Sequence, residues 1–181
     1  MDLTSIKREI LEAVLLHTKP VKATIIAKEM GKEFPATMMH LIDLTRKGFT
    51  QSPRKGHYLI TENGKKAVGL PQPTKETATK ILTQVSRENA FHFYADIGKP
   101  LNIYATGLKD FCEKITKVDT NSIEFHVNRG DFEAWFKCLG DGELAKKTAL
   151  IKARKLSGEE LQVKLVDIVE NHYIALSKMM E

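Results

Sequence analysis

The densest run of chemistry-bearing side chains is Glu124-Phe125-His126-Val127-Asn128-Arg129-Gly130-Asp131-Phe132-Glu133, with His92 on an earlier element. Imidazoles and carboxylates are the ligands of zinc and related metals, so His92, Glu124, His126 and Asp131 form a conceivable metal set. Their spacing follows neither the HExxH nor the CxxC pattern, and no metal is expected. If residues 122–127 are helical, Ser122 and His126 share a face; if extended, Glu124, His126 and Asn128 do. The simplest structural role gives Asp131 as the cap of a helix carrying Trp135, with His126 and Arg129 hydrogen-bonded at a seam. A third role comes from the aromatics. Nine of the 13 Phe, Tyr and Trp residues fall between Phe91 and Phe136, enough to make this stretch a core. The same cluster can line a pocket for a small-molecule effector, with His92, Tyr94, His126, Arg129 and Trp135 as candidate contacts.

No nucleophile elbow, phosphate-cradling glycine loop or dinucleotide fingerprint is present, so no catalytic residue, enzyme activity or cofactor is expected. Two cysteines, Cys112 and Cys138, are too few for a secreted disulfide scaffold and are expected to act as small buried hydrophobes in a reducing cytoplasm. Apolar runs of only four or five residues exclude a membrane span, and Met1-Asp2-Leu3 opens no leader.

Charge separates the chain into two halves. Residues 1–70 hold 12 Lys/Arg against 7 Asp/Glu, whereas residues 71–181 hold 16 of each, so the net +5 belongs entirely to the first part. A basic module joined to a neutral one points to polyanion binding by the first.

The elements that must carry these residues can be read from spacing. Leu3, Ile6, Ile10 and Val14, flanked by Leu11 and Leu15, predict an amphipathic helix that ends before Lys19-Pro20. A second helix is expected over Lys22–Met30 with Ile25, Ile26 and Met30 inward and Gly31 as terminator. A third runs from Pro35 to Lys47 with Met38, Leu41, Ile42 and Leu44 inward. Strands over 49–54 and 57–60 flank a Lys55-Gly56 turn, and Thr61 caps a short helix over 62–68.

This order, and the strings LIDLTRKGF and GHYLITENGKKAV above all, resemble the winged helix-turn-helix family of transcriptional regulators over nearly all of residues 1–70. The resemblance implies that the third helix enters the major groove of double-stranded DNA with Pro35, Ala36, Thr37, Met39, His40 and Asp43 outward. That set lacks the Arg, Asn and Gln side chains that read bases bidentately. Phosphate contacts are better supplied. Lys28 and Lys32 flank the turn, Arg46 and Lys47 end the third helix, and Arg54, Lys55 and His57 form the wing, so salt-sensitive binding with weak sequence preference is expected.

The neutral half begins with a linker and connecting helix over 71–89, capped by Thr74 and reaching about Arg87, with Ala78, Ile81, Leu82 and Val85 on one stripe. Residues 90–181 are expected to form a mostly helical domain with a short hairpin over 90–105, turning at Gly98-Lys99-Pro100. Helices follow over 107–117 (capped by Thr106), from Asn121 or Ser122 to Val127, over 131–139 and over 142–152. A last one is started by the Ser157-Gly158-Glu159-Glu160 box, with a stripe of Leu161, Leu165, Ile168, His172, Ala175 and Met179.

The strings AFHFYADIG, GLKDFCEKI, SIEFHVNRGDFEAWF, LGDGELAKK and LSGEEL resemble a family of uncharacterised prokaryotic, mainly archaeal, domains. Together these readings predict a mainly α protein with small β: an N-terminal winged helix-turn-helix on DNA and a C-terminal effector or oligomerisation domain, paired as a homodimer without a membrane partner. The alternatives are a protein-interaction adaptor without DNA binding and, further down the order, a metal-dependent enzyme in the C-terminal domain centred on His92, Glu124, His126 and Asp131.

Overall fold

The computed structural model describes residues 3–181. Met1 and Asp2, part of the segment read for a leader, lie outside the described residues. The chain divides after Gln72 into two compact units. Among the described residues ten α-helices accompany two small antiparallel sheets, and no helix is long and apolar enough to cross a membrane.

The first unit runs α1 (Ser5–Leu15), β1 (Val21–Lys22), α2 (Ala23–Glu29), α3 (Phe34–Arg46), β2 (Thr50–Arg54), β3 (His57–Ile60) and α4 (Glu62–Ala67). Its core follows the helical spacing: Ile10, Leu11, Val14 and Leu15 of α1 are buried with Ile26, Leu41 and Leu44. Each such side chain contributes about 1.5–3 kcal/mol relative to exposure. The inward assignments fail elsewhere. Ile25 is 43% and Ile42 38% exposed, while Met30 and Met38 are half-buried. In α2 the small residues Ala23 and Ala27 take the buried places beside Ile26, and the helix rolls Ile25 outward.

β1 has no counterpart among the expected strands, because two residues carry no alternation. Val21 and Lys22 pair with Tyr58 and His57, making a three-stranded sheet of order β1-β3-β2. The β2–β3 register is irregular between Gln51 and Arg54, where Pro53 has no N–H to offer. Beyond the sheet, the Thr61 hydroxyl accepts from Gly64 N at 3.1 Å and donates to Gly48 O at 2.6 Å. Gly64 packs so closely that a Cβ there would overlap the Phe49 carbonyl and press on the Ile60 side chain.

The second unit, Pro73–Glu181, contains α5 (Lys75–Leu82), a 3-10 turn (Arg87–Asn89), β4 (Phe91–Asp96), β5 (Lys99–Ala105), α6 (Leu108–Ile115), α7 (Thr120–Arg129), α8 (Asp131–Leu139), α9 (Gly142–Ala153) and α10 (Gly158–Lys178). The helix expected to connect the halves belongs to this unit and is shorter than its stripe suggested. It stops at Leu82 because Thr83 is extended, after which Val85 N donates to Thr106 O at 2.7 Å. Phe93, Phe111, Phe132 and Phe136 are fully buried, with the Phe111 ring centroid 5.2 Å from both Phe132 and Phe136.

Several caps differ from expectation. Gly107, not Thr106, is the N-cap of α6, and the Asp110 carboxylate accepts from Thr106 N at 2.9 Å. α7 begins at Thr120, ahead of the expected start, since Asp119 accepts from Asn121 N at 2.8 Å. Ser157 makes no side-chain cap bond; the Glu124 carboxylate reaches across to take Gly158 N instead. Along α10 the buried line is Leu161, Leu165, Ile168, His172 and Leu176, leaving Ala175 exposed and Met179 half-buried. A period of 3.6 residues carries the stripe past position 175.

Candidate functional site

Within the second unit, the hairpin and α7 enclose a cleft of about 310 Å³. β4 supplies Phe91, His92, Tyr94 and Asp96; the turn after it supplies Ile97 and Gly98. Opposite stand Phe125, His126 and Arg129 of α7, with Asp131 at the start of α8. The helical option for residues 122–127 holds, and it places Ser122 and His126 on one face against Tyr94. Ser122 Oγ donates to Tyr94 O at 2.7 Å, and Tyr94 N donates to His126 Nε2 at 2.8 Å. A strand edge that would otherwise leave a buried amide and carbonyl unpaired is thus closed by two side chains one helical turn apart.

This contact fixes the histidine's tautomer. A backbone N–H can only donate, so Nε2 carries the lone pair and Nδ1 the proton, which Asp131 accepts at 2.8 Å. Burial holds the imidazole below its ordinary pKa against the opposing pull of Asp131. Asp131 also accepts from Arg129 Nε at 3.2 Å, and the Arg129 guanidinium lies 5.1 Å above the Phe125 ring. Asp131 is therefore the orienting partner of His126 and Arg129, while Gly130, at φ 80°, takes the N-cap position expected for Asp131.

Four of the five candidate pocket contacts, His92, Tyr94, His126 and Arg129, line the cleft. Trp135 does not. It is 8% exposed in the core, where Nε1 donates to Asn89 O at 3.0 Å. Ile97 and Gly98 of the hairpin turn and Phe125 line the cleft without having been named as contacts; Phe125 is the chain neighbour of His126, and only pairing across the fold brings the turn there. The metal set does not assemble: Glu124 is committed to Gly158 N, His92 Nε2 to Arg87 O at 3.1 Å, and no three His, Cys, Asp or Glu among the described residues could hold a metal ion. Cys112 is buried, which pushes its thiol up to about 12, whereas Cys138 is exposed, contrary to its assignment as a buried hydrophobe.

A second ionic group lies inside the same unit. His172 of α10 places Nε2 2.9 Å from Asp141 Oδ2 and Nδ1 3.7 Å from Glu143 Oε1, and Lys147 Nζ is 2.7 Å from Glu143. Asp141 also caps α9 by accepting from Leu144 N at 2.9 Å. His172 Nε2 and Asp141 Oδ2 lie 2.9 Å apart as a buried ion pair, with a poorly directed hydrogen bond between them. Burial alone would discharge the imidazole; the two carboxylates outweigh it and raise the His172 pKa.

On the first unit, Lys28, Lys32, Pro35, Ala36, Met39, Arg46, Lys47, Arg54 and Lys55 are exposed, while His40, Asp43 and His57 are half-buried. Two assignments change. Thr37 is 2% exposed and donates its hydroxyl to Glu33 O at 3.0 Å, so it faces inward. Asp43 binds Lys7 at 2.7 Å and Lys47 at 2.8 Å, which ties α3 to α1 and holds its carboxyl down at about 2. Lys47 is therefore partly neutralised. His57 donates from Nδ1 to Lys55 O at 3.1 Å, bracing the turn.

The architecture is that of a small basic helical module followed by a neutral helical domain with a ligand-sized cleft. Residues 74–170 match the model of a family of unknown function (DUF5752), and the chain belongs to that family. The matched segment includes every residue lining the cleft. No curated protein and no solved structure matches the chain.

Proposed function

We propose that the chain is a DNA-binding transcriptional regulator: a winged helix-turn-helix in the first unit holds double-stranded DNA, and the second unit answers to an effector or pairs with a second copy. The observation that carries this reading is the set of five exposed cations at Lys28, Lys32, Arg46, Arg54 and Lys55, none of them ion-paired among the described residues. They lie in the last turn of α2 and the α2–α3 turn, at the C-terminal end of α3, and at the β2–β3 turn, the places that meet phosphates when such a helix enters a groove. Grip is supplied far better than choice. The outward side of α3 offers Pro35, Ala36, Met39 and the half-buried His40, none of them a bidentate base reader.

The test is a duplex titration of Arg54→Ala combined with Lys55→Ala. Binding should weaken on all sequences alike, and the slope of log affinity against log salt should drop by about 2, near 0.9 for each phosphate left without its cation. An unchanged slope removes the β2–β3 turn from the interface. One observation favours an adaptor instead: Phe34, Met39 and Ile42 of α3 are 44, 70 and 38% exposed, an apolar set suited to a protein partner. That reading predicts no duplex affinity even at low salt.

A further inference from the structure

We infer that the cleft between the β4–β5 turn and α7 binds a small aromatic monocarboxylate, its ring against Phe91, Phe125 and Ile97 and its carboxylate on the outer nitrogens of Arg129. The inference rests on the reading of the second unit as an effector module and names the ligand class. At about 310 Å³ the cleft lies at the low end of the roughly 300–1,000 Å³ typical of small-molecule sites, which suits a single-ring ligand. Its walls are aromatic, and Ile97 is 75% exposed on the turn beside them, a large apolar side chain that a bound ring would cover.

The polar groups decide the charge. His126 has both nitrogens occupied, by Tyr94 N and Asp131, and offers a ligand nothing. Asp131 already receives His126 and Arg129, while Asp96 receives Ile97 N at 2.7 Å and Lys99 at 3.3 Å. A cationic ligand therefore finds no unpartnered carboxylate. Arg129 is different. Only Nε has a protein acceptor; the terminal amino groups have none among the described residues, and the side chain stays 50% exposed. Asp131 and the Phe125 face nevertheless fix the guanidinium plane, so its outer edge is a fork oriented for a planar carboxylate. Among the described residues lining the cleft, Arg129 is the single Arg or Lys and stands beside the carboxylates of Asp96 and Asp131, which repel a phosphate dianion more than a single carboxylate seated on the free guanidinium edge.

The full chain, without DNA, should be titrated calorimetrically with phenylacetate and 3-phenylpropionate, and with 2-phenylethanol and phenethylamine as uncharged and cationic counterparts. The fluorescence of the sole tryptophan, Trp135, gives a second readout, because its ring lies 5.7 Å from Phe91 at the cleft wall. The acids should bind about tenfold or more tightly than the alcohol, since charge-assisted hydrogen bonds are roughly twice as strong as neutral ones. Arg129→Gln should abolish that preference while leaving alcohol binding and the thermal midpoint in place, and Arg129→Lys should restore part of it. Equal binding of acid, alcohol and amine, a preference that survives Arg129→Gln, or no saturable binding of the acids up to about 10 mM, weaker than any useful small-ligand site, would overturn the inference. Such a failure leaves the duplex titration standing, and failure to bind DNA leaves the acid preference standing.

Discussion

The two units handle charge in opposite ways. The first leaves Lys28, Lys32, Arg46, Arg54 and Lys55 at its surface without an ion-pair partner among the described residues. The second, neutral overall, draws part of its charge inward: Lys147, 6% exposed, pairs with Glu143, and His172, 7% exposed, pairs with Asp141 at 1%. A net charge of zero here does not describe a bland surface. Besides its surface charges the unit buries a Lys147–Glu143 and a His172–Asp141 pair inside the fold. An unpaired exposed cation is free to meet a polyanion; a paired buried one stabilises or specifies.

The contrast is broken most severely at His172. Replacing it by Ala leaves Asp141 and Glu143 without their imidazolium, and losing one partner of a buried ion pair costs about 3–5 kcal/mol. Denaturant unfolding followed by Trp135 fluorescence measures it; a loss under about 1 kcal/mol would mean that the imidazole carries no charge there. In the first unit the weak point is steric. Gly64→Ala must displace the Phe49 backbone or the Ile60 side chain, an overpacking cost of about 1–3 kcal/mol, visible as faster amide exchange in β2 and β3.

Two buried histidines sharpen the comparison through pH. His126 is held below its ordinary pKa of 6.5, so the unfolded chain takes up its proton first and the second unit loses stability as pH falls below that value. His172 is raised above 6.5, so its contribution is fully present below 6.5 and is lost as pH rises through the folded value. Stability of the second unit should therefore fall on both sides. His126→Gln should flatten the acid limb and His172→Gln the alkaline limb; two unchanged limbs would separate these histidines from the pH dependence.

Local punctuation was legible in the sequence. α8 has the bounds its flanking glycines predict, Gly130 and Gly140 at φ 80° and 86°, because a left-handed residue ends one helix and permits the next. The rotation of a helix about its axis was less legible. Spacing identifies an apolar face, but neighbours select which shoulder of it is buried, and so Ile25 and Ile42 face out, Thr37 faces in, and Leu176 replaces Ala175. The cleft was half visible. Its polar residues stood out by type, yet the bond from Tyr94 N to His126 joins elements 32 positions apart, and no periodicity reports such a pairing. Asp43 shows the same limit: an outward position on α3 is taken by two lysines, one from α1.

Exposed, unpaired cations of the first unit are the proposed grip on DNA phosphates, and the most direct measurement of that grip is the affinity of the full chain for several unrelated duplexes across a salt series. Closely similar affinities are expected, with a steep linear fall of log affinity with log salt and a slope of about −4 to −5 if all five cations contact phosphates. Absence of binding at about 50 mM salt, or affinity that ignores salt, would contradict it.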